Sequence, residues 1–128
     1  MTDDSLRRLY GAYIDCLNRQ DWDRLHLFVA EDVRHNGRQL GPDGYRAMLV
    51  DDFRAIPDLS FNVALLACEA PIIASRLAFD CTPTGLLFGI AVNGRRVQFA
   101  ENVFYEIADG RIREVWSVID KTALAAQL

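Results

Sequence analysis

The apolar residues in the first third of the chain recur every three or four positions, the spacing of one face of a helix. A first helix is predicted after a polar cap at residues 2–4. Its apolar stripe is Leu6, Leu9, Tyr10, Tyr13, Ile14 and Leu17. A shorter second helix begins at Asp21, and a third runs from Gly41 to about Arg54. Between them, residues 31–35 predict a short extended segment.

From Leu59 onward the apolar period changes to two, which is typical of strands. Four strands are predicted, at Leu59–Glu69, Ile72–Thr82, Val97–Ile107 and Ile112–Asp120. Tight turns at 70–71 and 108–111 make their neighbours antiparallel. We therefore expect one α+β domain spanning residues 1–128. Its three N-terminal helices would cover one face of a strongly curved antiparallel sheet and enclose a pocket.

The last turn predicts the register of the final hairpin, with Ile107 opposite Ile112. Strict alternation from this pair places Phe99, Glu101, Trp116 and Asp120 on one face, together with most of the apolar side chains of the hairpin. That face is expected to look into the pocket. A shift of one residue would move Asp120 to the outside.

A carboxylate among apolar side chains has a raised pKa and can serve as a general acid or base near neutral pH. Asp120 and Glu101 are therefore the predicted catalytic residues, and Phe99 and Trp116 are predicted to bind substrate. The alternative for Asp120 is a cap for a helix over residues 121–128. Glu101 could instead pair with Arg76 or Arg96.

Four further polar residues are candidates for substrate binding. His35 and Asn36 follow the short extended segment, although such a pair is more often a turn. Tyr13 lies on the first helix, where core packing is the commoner role. Arg76 interrupts an apolar strand and would be costly to bury without a carboxylate.

Composition narrows the function classes. A net charge of −4 and a pI near 5.0 argue against a nucleic-acid or membrane-surface binder, which would need a basic face. Three cysteines without framework spacing favour a reducing cytoplasm, and the acidic N-terminus lacks the apolar core of a signal peptide. Two histidines do not predict a metal site, and no cofactor-binding loop is present in the sequence. The apolar segment 86–90 predicts a homodimer, with a tetramer as the alternative.

Several stretches together resemble the SnoaL-like polyketide cyclases, or ester cyclases. They are His35–Gly37, Gly41–Arg46, Ile56–Leu59, Ser75–Leu77, Thr84–Ile90, Asn93–Val97, Asp109–Ile112 and the ending Trp116, Asp120, Leu124 and Gln127–Leu128. The resemblance implies the nuclear-transport-factor-2-like fold and a cofactor-free intramolecular aldol condensation that closes a ring of a polyketide ester. We therefore predict a cyclase or isomerase that acts on a small, largely apolar or aromatic carbonyl compound. It also implies that Asp120 is the acid/base, while His35, Asn36, Arg76 and Glu101 orient carbonyls or share protons. This sequence has Pro83, Glu101 and Asn102 in segments where relatives carry histidines.

Two other functions remain open. A hydratase or hydrolase resembling the limonene-epoxide hydrolases would hold a water between carboxylates and an arginine, for which Arg76, Asp80 and Asp120 are candidates. A non-catalytic small-molecule-binding module is the third possibility. The orientation of Asp120 and Arg76 relative to the pocket distinguishes these readings.

Overall fold

The computed structural model describes residues 1–128 and contains three α-helices and one 3₁₀ helix. They are α1 (Asp3–Asn18), the 3₁₀ helix (Trp22–Leu27), α2 (Gly41–Ala55) and α3 (Lys121–Ala125). The Thr2 hydroxyl accepts a hydrogen bond from the Ser5 N–H at 3.1 Å and so caps α1. The three predicted N-terminal helices are confirmed, although the second is a 3₁₀ helix. No helix is long and apolar enough to cross a membrane.

Six strands form the main sheet, and two short strands form a separate hairpin. The strands are β1 (Val29–His35), β2 (Arg38–Gln39), β3 (Asn62–Glu69), β4 (Ile72–Cys81), β5 (Leu86–Leu87), β6 (Ile90–Ala91), β7 (Val97–Ala108) and β8 (Arg111–Ile119). The order in the main sheet is β2-β1-β8-β7-β4-β3, while β5 pairs with β6. All four predicted strands are confirmed within a few residues at their ends.

The main sheet is mixed, which corrects the expectation of a purely antiparallel one. The predicted extended segment becomes β1 and pairs in parallel with β8. The sheet is curved and is not closed. The helices lie against its concave side, and 27 buried residues form a continuous hydrophobic core. Leu6, Tyr10 and Leu17 of α1 are almost fully buried in this core, as the helical stripe predicts.

A β-bulge in the last hairpin decides which side chains reach the core. Ile107 pairs with Ile112 as predicted, but Glu106 pairs with Glu114, which leaves Arg113 without a partner. One extra residue in a strand moves every side chain beyond it to the opposite face of the sheet. Val115 is consequently 2% exposed, whereas Trp116 is 43% exposed. The predicted inward positions of Trp116 and Asp120 are therefore wrong.

The convex side of the sheet exposes large apolar side chains. Two neighbouring cross-strand rows contain Leu65, Arg76, Asn102 and Val118 in one, and Ala67, Ala74, Phe104 and Trp116 in the other. We call the apolar group Leu65, Phe104, Trp116 and Val118 the outer patch. Its members are between 43% and 69% exposed.

Candidate active site

A cavity of about 530 Å³ lies between the helices and the concave side of the sheet. Thirteen of its 19 lining residues are hydrophobic, so the space favours an apolar ligand. The other six are polar or charged, namely His35, Asn36, Asp52, Glu101, Ser117 and Lys121. Three of the hydrophobic set, Tyr13, Tyr45 and Tyr105, also have hydroxyl groups.

Two half-buried carboxyl groups, Asp52 of α2 and Glu101 of β7, line this cavity from opposite layers. Burial, together with the negative charges of Glu101 and Asp51, raises the pKa of Asp52 from 3.8 to about 7. Burial also raises the pKa of Glu101. Both carboxyl groups therefore hold a proton more readily than an exposed carboxyl group, and a protonated one can act as an acid while an ionised one acts as a base.

A chain of hydrogen bonds fixes the position of Glu101. The Ser117 hydroxyl donates to the Glu101 carboxylate, which opposes the rise in the pKa of Glu101 caused by burial. Ser117 is itself held by Asn36, whose amide oxygen accepts from the Ser117 N–H at 2.8 Å and whose amide nitrogen donates to the Ser117 carbonyl at 3.2 Å. Asn36 can occupy this position because it adopts the left-handed region, with φ of 48°. Its amide is thus engaged in positioning β8.

Buried tyrosines supply neutral hydrogen-bond donors to the cavity wall. The Tyr13 and Tyr45 hydroxyl oxygens are 2.7 Å apart. One hydrogen lies between these oxygens, so the other is free to be donated to a ligand. Burial raises the pKa of both hydroxyls, which keeps them protonated at neutral pH. A protonated hydroxyl pair can stabilise negative charge that develops on a carbonyl oxygen.

His35 lies at the end of β1, with its ring centroid 6.4 Å from that of Tyr45 in an edge-to-face arrangement. Burial lowers the pKa of His35, and the nearby Arg38 charge lowers it further. The imidazole is therefore neutral at pH 7 and offers one donor and one acceptor nitrogen.

Five of the eight predicted site residues lie where a ligand could contact them. Tyr13, His35, Asn36 and Glu101 line the main cavity. Phe99 lines an adjoining space of about 50 Å³ that is also bordered by Asp52 and Glu101. Their roles in catalysis and binding stay predictions.

The other three residues do not line the cavity. Asp120 is exposed, and its carboxylate accepts a hydrogen bond from the Ala123 N–H at 3.0 Å, so it caps α3. Trp116 belongs to the outer patch because of the bulge. Arg76 also lies on the convex side, where its guanidinium donates to the Asn102 side chain at 2.9 Å. Exposure on that side explains how an arginine interrupts an apolar strand without a carboxylate partner.

Asp52 and Ser117 are the main omissions of the sequence analysis. Asp52 follows Tyr45, Met48 and Leu49 at helical spacing, so the inward face of α2 ends in an acid. That spacing could have identified it. Ser117 had no such signal, because its inward position depends on the bulge. No group of three or more His, Cys, Asp or Glu side chains is arranged to hold a metal ion.

Comparisons with known proteins identify the family. A solved SnoaL-like polyketide cyclase from Agrobacterium tumefaciens is 50% identical, with a TM-score of 0.95 and coverage of 99% of this chain and 98% of that one. TsrD from Streptomyces laurentii is 24% identical, with a TM-score of 0.86 and coverage of 99% and 96%, and shares the fold. IdmH from Streptomyces antibioticus, at 19% identity, a TM-score of 0.81 and coverage of 94% and 96%, also shares it.

Among proteins with curated descriptions, none matches this chain. The sequence model of the SnoaL-like polyketide cyclases matches residues 7–128. This match and the identity to the Agrobacterium protein agree with the helix-covered curved sheet. The chain belongs to the SnoaL-like polyketide cyclase family.

Proposed function

We propose that the protein is a cofactor-independent cyclase or isomerase that moves protons on a small, largely apolar or aromatic carbonyl compound. The observation that carries this proposal is the pair Asp52 and Glu101 in a mainly hydrophobic cavity. Apolar walls favour an aromatic ligand, and two carboxyl groups with raised pKa values supply both an acid and a base. Family membership supports the same class of reaction.

In the proposed reaction, ionised Glu101 removes a proton from the carbon next to a substrate carbonyl. The C–H electron pair forms the enolate, whose negative oxygen accepts hydrogen bonds from the Tyr13–Tyr45 hydroxyl pair or neutral His35. In a cyclase, the enolate carbon then attacks a second carbonyl carbon of the same molecule, and protonated Asp52 donates its proton to the new alkoxide. In an isomerase, the proton returns to a different carbon. The negative charge passes from Glu101 to the substrate oxygens and then to Asp52, and return of a proton from Glu101 to Asp52 restores the starting state. The substrate oxygens hold the charge between these steps, so the proposed reaction needs no cofactor.

Glu101 is assigned as the base because Ser117 stabilises its ionised form. Asp52 has no hydrogen bond of this kind, and its pKa near 7 leaves a substantial protonated fraction at neutral pH. The assignment differs from the one implied by family resemblance, which places the acid/base at Asp120. The exposed capping position of Asp120 gives that role no geometric support.

A carbon acid of the right shape tests the proposal directly. 2-Tetralone is a fused bicyclic ketone with acidic protons next to its carbonyl, and 2-naphthol is a stable mimic of its enol. We expect the wild-type protein to catalyse exchange of the 2-tetralone α-protons with D₂O, followed by NMR. The double variant Asp52→Asn/Glu101→Gln should lose the catalysed exchange, by about 100-fold or more, and still bind 2-naphthol.

Other outcomes of this experiment separate the remaining functions. Binding of 2-naphthol without exchange by the wild type would favour the non-catalytic binding module. With an epoxide as the substrate instead, solvent oxygen in the diol product would favour the hydrolase. The structure offers no support for the hydrolase arrangement, since Arg76 lies on the convex side and Asp80 forms an exposed ion pair with Arg96, with atoms 2.7 Å apart.

We further propose that the protein forms a homodimer through the outer patch. Arg76 and Glu106 lie on the same convex face, and neither forms an ion pair within the chain. Phe104 lies midway between Asn102, the neighbour of Arg76, and Glu106. A twofold axis near Phe104 would bury the apolar side chains and bring Arg76 of one copy towards Glu106 of the other.

Sedimentation at micromolar concentration tests this interface. We expect a dimer for the wild type, a monomer for Arg76→Glu, and recovery of the dimer in Arg76→Glu/Glu106→Arg. A wild-type monomer would contradict the proposal, and a tetramer would require a second interface. Three free cysteines support the further proposal of a reducing, cytoplasmic location.

A further inference from the structure

The hairpin of β5 and β6 turns through Phe88 and Gly89, with φ of 52° and 78°. These are the only two residues between the paired Leu87 and Ile90. Two-residue hairpin turns with positive φ at both positions favour Asn-Gly or Asp-Gly. A bulky side chain at positive φ is strained, because its Cβ lies close to the following carbonyl oxygen.

Other turns of the same chain use the favoured residues. Asn36-Gly37, Asn93-Gly94 and Asp109-Gly110 all have positive φ at both residues. Only the turn at 88–89 places an aromatic residue where the other three have Asn or Asp. Local backbone conformation therefore does not account for Phe88, so the ring must serve another purpose.

The Phe88 ring lies at the carboxylate end of the cavity. It borders both the main cavity and the adjoining smaller space, as do Asp52 and Glu101. Its centroid is 6.1 Å from that of Phe99, edge to face, and the Lys121 ammonium lies 5.7 Å from its centre. Even so, the side chain is 36% exposed. The ring is thus held on one side and left partly uncovered beside the proposed acid/base pair.

We propose that Phe88 is a specificity-determining residue whose ring packs on a flat aromatic portion of the ligand, next to Glu101 and Asp52. This inference rests on the proposed function for the class of ligand but not for the chemical step. Ligand contact explains why the chain retains a strained phenylalanine in a turn that asparagine would fit. It also makes aromatic ring systems better ligands than aliphatic ones of the same volume.

Substitution of Phe88 separates ligand binding from folding. Phe88→Asn removes the ring and relieves the strain, while Phe88→Tyr keeps both and is the matched control. We expect Phe88→Asn to unfold at the same temperature as the wild type or a higher one. Its affinity for 2-naphthol in a fluorescence titration should fall about tenfold, and Phe88→Tyr should bind within about twofold of the wild type. In 2-tetralone exchange, KM should rise while kcat changes little.

Three results would overturn the inference. The first is a folded Phe88→Asn that binds 2-naphthol as tightly as the wild type. The second is a marked loss of thermal stability in Phe88→Asn, which would make the ring a core contact. The third is a wild type that does not bind 2-naphthol. Failure of the proposed function looks different, because exchange would be absent while the binding difference between Phe88→Asn and Phe88→Tyr remained.

Discussion

The two faces of the β7–β8 hairpin contain similar kinds of residue in different environments. On the concave face, Glu101 lies in an apolar cavity and accepts a hydrogen bond from Ser117. On the convex face, Trp116 and Val118 are exposed, and Asp120 at the strand end caps a short helix. Both acids follow apolar segments in the sequence. Only Glu101 lies in an apolar cavity, where burial raises the pKa of a carboxyl group and makes it useful for acid/base catalysis.

The difference between the faces depends on one unpaired residue. Without the bulge at Arg113, strict alternation would turn Trp116 and Asp120 inward and Ser117 outward. Asp120 would then face the cavity beside Glu101, and Glu101 would lose its hydrogen bond from Ser117. A functional assignment from strand alternation is therefore only as good as the register on which it rests.

The largest predicted effect is on the pH dependence of stability, through Asp52. Its pKa is 3.8 in the unfolded chain and about 7 in the folded one, so the folded chain binds more protons between these values. The contribution of Asp52 is then most favourable below its unfolded pKa and is lost as the pH rises to about 7. The shift limits this loss to about 4 kcal/mol.

Urea unfolding of Asp52→Asn measures this contribution. Relative to the wild type, Asp52→Asn should become more stable as the pH is raised from about 4 to about 8. Asp15→Asn is the matched control, because Asp15 is an exposed helical aspartate paired with Arg19 and does not contribute to the raised pKa of Asp52. A difference between wild type and Asp52→Asn that does not change with pH would show that Asp52 is not in the environment described.

A smaller predicted effect is the difference in stability between alanine substitutions on the two faces of β8. Val115 is 2% exposed and Val118 is 69% exposed, although strict alternation predicts the reverse. Val115→Ala should lower the free energy of unfolding by about 2 kcal/mol, and Val118→Ala by less than about 0.5 kcal/mol. Denaturant unfolding in the Arg76→Glu background, which the proposed interface predicts to be monomeric, avoids a contribution from self-association. Equal losses in the free energy of unfolding, or a larger loss for Val118→Ala, would contradict the orientation of β8 that the bulge produces.

Much of the fold could be predicted from the sequence because its signals are local. The stripe from Leu6 to Leu17 and the alternation from Leu59 onward fix the helices and strands. The parallel pairing of β1 with β8 was not predictable in this way, since residues 31–35 do not show which strand they join.

The site was harder to predict because it depends on contacts between distant segments. Glu101 was identified because β7 alternates regularly from the turn. Asp120 and Trp116 were misplaced because no residue type near Arg113 signals a bulge. Asp52 becomes significant only because α2 and β7 line the same cavity, which sequence spacing alone does not establish.

The smallest predicted effect concerns the hydrogen bond from Ser117 to Glu101. Loss of this bond in Ser117→Ala should raise the pKa of Glu101, because the hydroxyl stabilises the ionised form. Since the proposed base acts when ionised, the acidic limb of the pH–rate profile for 2-tetralone exchange should move about one unit towards higher pH. Ser117→Thr retains a hydroxyl and should restore the wild-type profile. An unchanged pH–rate profile in Ser117→Ala would show that Ser117 does not affect the pKa of the catalytic base.

The most direct test compares Glu101→Gln with Asp120→Asn in 2-tetralone exchange. Both changes replace a carboxylate by an amide, and asparagine can still cap α3. We predict that Glu101→Gln loses about 100-fold or more in kcat and that Asp120→Asn stays within about twofold of the wild type. Loss of exchange in Asp120→Asn with full activity in Glu101→Gln would contradict the assignment of the catalytic carboxylate to the concave face.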